Sequence, residues 1–380
     1  MTRSEPARQI AAALPWETSM SRISVRILGA AATAALMLTP LAGADPARSA
    51  TLAPHRVAME IGTPSGAALP ASAQGIDAAA GTWERLVELG RSYAVYTPAG
   101  LLPGTAVPLV VVLHGCTQSA QDIALGTGVN ALADRQGFVA LYPEQSTTDN
   151  VRSCWNWFDV GDQVRGSGEP AEIAAITDRV LRRPGAVTLD ASRVYLMGMS
   201  AGGAMACILA ATYPDVYASV GIHSALEYRA AGSASTALLA MINGGPDPQR
   251  QGQVAYAAMG PRARVVPAIV VQGKVDHTVW PVNGDQTVRQ WLTTSRLVSG
   301  AATGLDFAHP NASRDGLVPG GLSYSVRTWN DGSGRAVVQY WTVNGLAHAW
   351  SGGAAAGSFT DPRGPSATEA MYDFFVQSTR

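Results

Sequence analysis

The chain has 380 residues, enough for one large domain or two. Its 27 Lys and Arg against 28 Asp and Glu give a net charge of −1, which argues against nucleic acid or an anionic membrane as partner. Hydrophobic residues make up 47% of the chain, an ordinary globular share, and no internal repeat is evident.

Residues 1–44 read as a signal peptide. Arg22 and Arg26 precede the apolar run Ile27 to Ala42, and Ala42-Gly43-Ala44 fits a small-residue cleavage site. The run, about 16 residues, is short for a membrane span, so no stable anchor is expected and the protein is assigned an extracellular or periplasmic place. Met20 is a candidate true start, because residues 1–19 add nothing a signal needs. Residues 45–75, rich in Ala, Pro, Ser and Gly without a period, read as a disordered lead-in, which leaves 76–380 for the folded domain.

Strands are predicted near Tyr93–Thr97, Leu109–Leu113, Phe138–Tyr142, Val194–Met197, Ser219–Ile222, Val265–Val271, Tyr324–Thr328 and Val337–Val343. Helices are predicted near Gln121–Gln136, Glu169–Arg182, Ala201–Tyr213, Val282–Leu297 and Pro365–Gln377. This alternation implies an α/β fold, a mostly parallel sheet with helices on both faces. No cluster has metal-ligand spacing and no glycine-rich loop fits a phosphate or dinucleotide, so no cofactor is expected.

The sharpest signal is Val194-Tyr195-Leu196-Met197-Gly198-Met199-Ser200-Ala201-Gly202-Gly203. An apolar strand turns into a small-residue helix with a serine at the corner, the pattern of a G-x-S-x-G nucleophile elbow. Gly198 and Gly202 give the strained turn its room, and Gly203 and Ala206 let the helix lie close to the sheet. In the α/β-hydrolase fold the acid and then the base follow the serine in the chain. Asp276 follows the strand pattern Val265–Val271 and His348 follows Val337–Val343, each in the loop at a strand's C-terminal end.

Six histidines compete for the base. His55 lies in the low-complexity segment, His309 in a loop before Pro310, and His277 adjoins Asp276 too closely to serve the same serine. His223 ends a strand but precedes any plausible acid. Asp306 and Asp285 are the fallback acids. The buried run Leu109–Leu113 leads into His114-Gly115-Cys116-Thr117-Gln118, where the oxyanion loop belongs. Cys116 N–H and Ala201 N–H are the candidate oxyanion donors, each worth about 3 kcal/mol in the transition state. His114 reads as a structural residue of that loop.

Cys116 and Cys154 lie beside these predicted loops, and Cys207 lies inside the helix after the elbow. A bridge between the first two would close about 38 residues, worth roughly 4 kcal/mol on the chain-entropy model; three free thiols are the alternative. Trp155 and Trp157 suit either packing or substrate contact, Trp350 is placed to line the cleft two residues after His348, and Trp280 is ambiguous. No long, strongly apolar lid is evident between Ser200 and Asp276.

Four blocks occur in order: His114-Gly115-Cys116-Thr117-Gln118, Cys154-Trp155-Asn156-Trp157-Phe158, Gly198–Gly203, and Gly345-Leu346-Ala347-His348-Ala349-Trp350-Ser351-Gly352-Gly353. Together, over about residues 90–377, they resemble the poly(3-hydroxybutyrate) depolymerase family of esterases, whose near relatives are feruloyl and acetylxylan esterases. The resemblance implies Ser200, Asp276 and His348 as triad, an oxyanion contact at Cys116, and, with an oxidising compartment, the Cys116–Cys154 bridge. It implies hydrolysis of short 3-hydroxyacyl polyesters or their oligomers. A feruloyl or acetylxylan-type carboxylesterase is the alternative, and a non-catalytic polymer-binding protein on the same scaffold a remote one. Many secreted polymer depolymerases append a linker and a substrate-binding domain. This chain stops soon after its last predicted helix, so the expectation is soluble oligomers or amorphous polymer rather than crystalline granules.

Overall fold

The computed structural model describes residues 81–380 except 103, 186 and 301–303. The proposed signal peptide, the lead-in and His55 lie outside the described residues.

Strands β1 (Gly81–Glu88), β2 (Arg91–Pro98), β3 (Ala106–Leu113), β4 (Val139–Pro143), β5 (Thr188–Met199), β6 (Ser219–His223), β7 (Ala268–Gly273), β8 (Ala312–Leu317), β9 (Ser323–Asn330) and β10 (Ala336–Val343) form one sheet. Their order is β1-β2-β4-β3-β5-β6-β7-β10-β9-β8. The six strands from β4 to β10 run parallel, and an antiparallel pair flanks them at each edge. The chain steps from β3 outward to β4, then returns to the other side of β3 with β5. That reversal opens a crevice at the C-terminal ends of β3 and β5, where open α/β sheets bind their ligands.

Among the described residues eight α-helices cover the sheet: α1 (Ala120–Thr127), α2 (Val129–Gln136), α3 (Gly168–Leu181), α4 (Ala201–Thr212), α5 (Ala234–Asn243), α6 (Pro248–Met259), α7 (Val282–Ser299) and α8 (Ala367–Phe375). Side chains alternate across the strands, so Leu109, Val111, Leu196 and Ile222 face a core shared with Ile173, Leu209 and Trp291. Val110, Val112, Met197 and Val271 face the opposite core with Ile123, Leu132 and Phe375. Helix α4 is buried at all 12 positions. Burying Ile208 and Leu209 contributes about 1.5–3 kcal/mol each and presses the helix that follows the elbow onto the sheet.

Some expected boundaries move. The single helix predicted over Gln121–Gln136 is two, broken where Gly128 takes φ 69°. Strand β7 starts at Ala268, not Val265, because Pro267 has no N–H for a central strand. A short parallel pair, β11 (Trp350–Ser351) with β12 (Thr360–Asp361), shapes the loop after His348. No described helix is long and apolar enough to cross a membrane.

Candidate active site

Ser200 sits between β5 and α4 with φ 55° and ψ −122°, a backbone region that costs a non-glycine residue about 1–3 kcal/mol. The glycines around it are sterically required. A Cβ on Gly198 would lie 2.4 Å from Gly202 O, and one on Gly202 would lie 2.2 Å from Leu113 O. The strained residue is tied down by its N–H, which donates to His223 O at 3.0 Å.

Asp276 follows β7 and is fully buried. Its Oδ1 accepts from the Thr278 and Val279 N–H groups, both at 2.9 Å. Its Oδ2 accepts from His348 Nδ1 at 2.8 Å. Burial opposes ionisation of Asp276, but the His348 hydrogen bond and charge and the two backbone donors outweigh it, leaving the carboxyl below its usual range. An ionised Asp276 holds the His348 proton on Nδ1 and leaves Nε2 with a free lone pair, the arrangement a general base needs. Ser200 Oγ forms no hydrogen bond among the described residues; such contacts commonly tighten only when substrate is bound.

Cys116 N–H and Ala201 N–H are likewise without a hydrogen-bond partner among the described residues. The loop after β3 lies against the serine: a Cβ on Gly115 would sit 3.4 Å from Ser200 Cβ. His114 aims this loop. Its Nε2 accepts from Gln145 N–H at 3.0 Å, so its Nδ1 carries the proton and donates to Gly115 O at 2.8 Å. Carbonyl and N–H of one trans peptide point opposite ways, so holding Gly115 O outward turns Cys116 N–H the other way. Burial lowers the His114 pKa and keeps it neutral for this role. The Cys116–Cys154 disulfide is present and pins the same loop, while Cys207 is free and buried.

The other candidates fall elsewhere. His223 is buried, accepts from Ser351 N–H at Nε2, and stacks on Trp350 with ring centroids 4.8 Å apart. Burial and then the neighbouring His348 push its pKa down to about 3, so it stays a neutral brace. His309 is exposed and pairs with Asp306, Asp285 lies beside Tyr340 in another cavity, and His277 meets Trp280 edge-on.

Substrate contact at Trp155, Trp157 and Trp350 is corrected by their burial, 0, 5 and 1% exposed. Trp155 packs near the His114 ring, Trp157 against Phe158, and Trp350 donates Nε1–H to Thr368 Oγ1 at 3.0 Å. The exposed aromatic ring beside His348 belongs to a residue that no sequence motif marks. Phe359 is 48% exposed, edge-on to His348 at 6.3 Å, and held at φ 51°. A bulky side chain at positive φ was its only signal, and backbone angles are not written in the sequence. Among the described residues no group of His, Cys, Asp and Glu is arranged to hold a metal ion.

A strained serine elbow at the sheet's switch point, with an Asp–His pair on the following strand ends, defines an α/β-hydrolase. The sequence model of the PHB depolymerase esterases matches residues 91–309, more than half of the chain. The chain belongs to that esterase family. It is 33% identical over 258 residues to poly(3-hydroxyalkanoate) depolymerase C of Paucimonas lemoignei, an alignment covering 67% of this chain and 57% of that protein. It thus spans less than two thirds of that relative. Feruloyl esterase B of Neurospora crassa is 30% identical over 223 residues, covering 54% of this chain and 72% of that one. The acetyl xylan esterase of Aspergillus awamori shares the fold at a TM-score of 0.61 and 19% identity, covering 78% of this chain and all of that one.

Proposed function

We propose that this protein is a secreted serine esterase that cleaves 3-hydroxybutyrate-type ester bonds, in oligomer or amorphous polymer, through an acyl-enzyme. The observation that carries the reading is the Asp276–His348 pair at 2.8 Å on the strand ends that follow the Ser200 elbow. His348 Nε2 takes the Ser200 proton as Oγ attacks the ester carbonyl, and Asp276 orients the ring and stabilises its cation. The Cys116 and Ala201 N–H groups receive the oxyanion. His348 then protonates the departing alkoxide and activates the water that frees Ser200. The run Ile27 to Ala42 and the disulfide support an exported protein.

The 30% identical feruloyl esterase favours a second reading, in which the ester belongs to a plant-wall polysaccharide. Rates measured side by side on hydroxybutyrate trimer, methyl ferulate and acetylated xylan separate the two. The trimer is expected to be cleaved fastest, and a much faster rate on ferulate or acetylxylan replaces the first reading with the second. A fluorophosphonate probe should label Ser200; an unlabelled Ser200 would instead leave a non-catalytic polymer-binding protein.

A further inference from the structure

Between β6 and β7 the chain leaves the sheet and forms α5. This helix is built inside out. Its two buried residues are the small ones, Ala237 and Ala240. Of its four large apolar residues only Met241 packs against the core, while Leu238, Leu239 and Ile242 point to solvent, 64, 61 and 46% exposed. Positions 238 and 239 each lie one helical turn before 242, so Leu238 and Leu239 both neighbour Ile242 on the exposed side of the helix. The exposed face continues along the chain's next crossing. Trp280 N–H and Asn283 Nδ2 both hydrogen-bond to Met241 O, which fastens α5 to the start of α7, where Trp280 and Val282 are also exposed. Trp280 meets His277, the neighbour of Asp276, edge-on at 5.9 Å. Through Trp280 the helix is tied to the loop after β7, the loop that carries Asp276 at the C-terminal end of the sheet.

Its chemistry restricts what it meets. The seventeen residues from Ala230 to Pro246 include no Asp, Glu, Lys, Arg or His, in a chain that is 14% charged. An anionic lipid surface calls for Lys and Arg, and there are none here. A polysaccharide calls for polar groups and aromatic platforms, whereas this face is aliphatic apart from Trp280 at its margin. An exposed, uncharged, aliphatic surface of this kind marks an interaction site.

We infer that α5, with Trp280 at its active-site end, is an adsorption face that seats the enzyme on the surface of a water-insoluble aliphatic polyester. The inference rests on the polyester reading of the active site and deepens it. A solid polyester offers uncharged, methyl-rich segments that match Leu238, Leu239 and Ile242. Adsorption there holds the chain ends and loops of the solid beside Ser200, which a dissolved oligomer does not require.

The test uses the full chain carrying Ser200→Ala, so that bound polymer is not consumed. Its partition onto particles of amorphous poly(3-hydroxybutyrate) and onto insoluble acetylated xylan is compared with that of the same protein also carrying Leu238→Ser, Leu239→Ser and Ile242→Ser. The expected result is binding to the polyester over the xylan, reduced about tenfold or more by the three substitutions. With Ser200 restored, the triple variant should turn over a soluble p-nitrophenyl ester within about twofold of the parent, because surface changes away from the site leave the fold intact. Equal polyester binding by parent and triple variant overturns the inference, as does equal binding to xylan. A parent dimer that the substitutions convert to a monomer overturns it too, since the face then belongs to a second copy. If the triple variant does not fold, Leu238→Lys alone is judged by the same criteria. Failure of the unsubstituted enzyme on the soluble trimer is a separate result, and it removes the function reading rather than the adsorption face.

Discussion

Gln118 Nε2 donates to Ser358 O at 3.1 Å, across 240 residues of sequence. The same side chain accepts from Gly115 N–H at 2.9 Å through Oε1. One amide thus joins the candidate oxyanion loop to the loop that carries Phe359, and Asp122 reinforces the join by accepting from Ser358 N–H at 3.0 Å. The two walls of the site are set against each other by hydrogen bonds that neither loop's own sequence reveals.

Gln118→Ala should therefore loosen both walls. It leaves the buried Gly115 N–H unpaired, a cost of about 1–3 kcal/mol in stability. Misplacing the Cys116 donor should lower kcat on p-nitrophenyl acetate by roughly tenfold to a hundredfold. Thermal melts and steady-state kinetics on one preparation check both effects. An unchanged kcat would separate this loop from oxyanion stabilisation.

Asp276→Asn should leave the fold in place and lower kcat by roughly 10⁴-fold, because the amide can donate to His348 Nδ1 and favour the wrong tautomer. Ser200→Ala should lose nearly all turnover. Normal activity in the first variant would move the acid to another residue; normal activity in the second would remove the nucleophile.

The elbow, the parallel strands and the order of Ser200, Asp276 and His348 were legible because each rests on local pattern. A buried parallel strand reads as an apolar run, as in Leu109–Leu113, and a loop residue just past it is placed by chain continuity. The edge strands β1 and β8 carried no such run. Glu84, Arg85 and Glu88 in one, and Arg314 and Asp315 in the other, belong to edges that face water and hide the strand pattern. Helix α6 was hidden by Gly252, which reads as a break but sits where a Cβ would lie 2.5 Å from Thr293 Cβ on α7. Helix α5 turns Ala237 and Ala240 inward and Leu238, Leu239 and Ile242 outward, so its sequence shows no stripe of large core-facing residues. The tryptophans misled for the opposite reason: proximity to His348 in sequence said nothing about which way Trp350 points.

Thiol titration should find one free thiol in the denatured, unreduced protein, and peptide mapping should join Cys116 to Cys154. In the native protein the count should fall to zero, since burial and then the nearby Glu227 push the Cys207 thiol well above its usual pKa. Reduction should cost roughly 4 kcal/mol of stability on the chain-entropy model. Three thiols in the unreduced chain would remove the bridge.

Phe359 offers a test with two independent readings. Its φ of 51° costs a non-glycine residue about 1–2 kcal/mol, so Phe359→Gly should be more stable than Phe359→Ala by about that amount. The ring lies edge-on to His348, the proposed general acid, which would place it on the leaving-group side of the cleft. Both variants should raise KM for the hydroxybutyrate trimer several-fold while changing kcat on p-nitrophenyl acetate little. Equal loss on both substrates would mean that the ring positions His348 instead of contacting substrate.

Glu227 is 3% exposed, and neither carboxyl oxygen has a hydrogen-bond partner among the described residues. Burial, and then the negative charge of Asp247, push its pKa up to about 9. In the unfolded chain the same carboxyl titrates near about 4.3. Below about pH 4 both states hold the proton and Glu227 adds no pH dependence. Between about pH 5 and 9 the folded state holds a proton that the unfolded state has lost, so stability falls as pH rises, by up to about 1.4 kcal/mol per pH unit. Glu227→Gln keeps the shape and removes the titration. Urea unfolding of the two proteins at pH 5, 7 and 8.5 should therefore show a difference in favour of the variant that widens with each step. A difference that does not change with pH would mean that Glu227 is already ionised in the folded protein, with a counter-charge or water beside it.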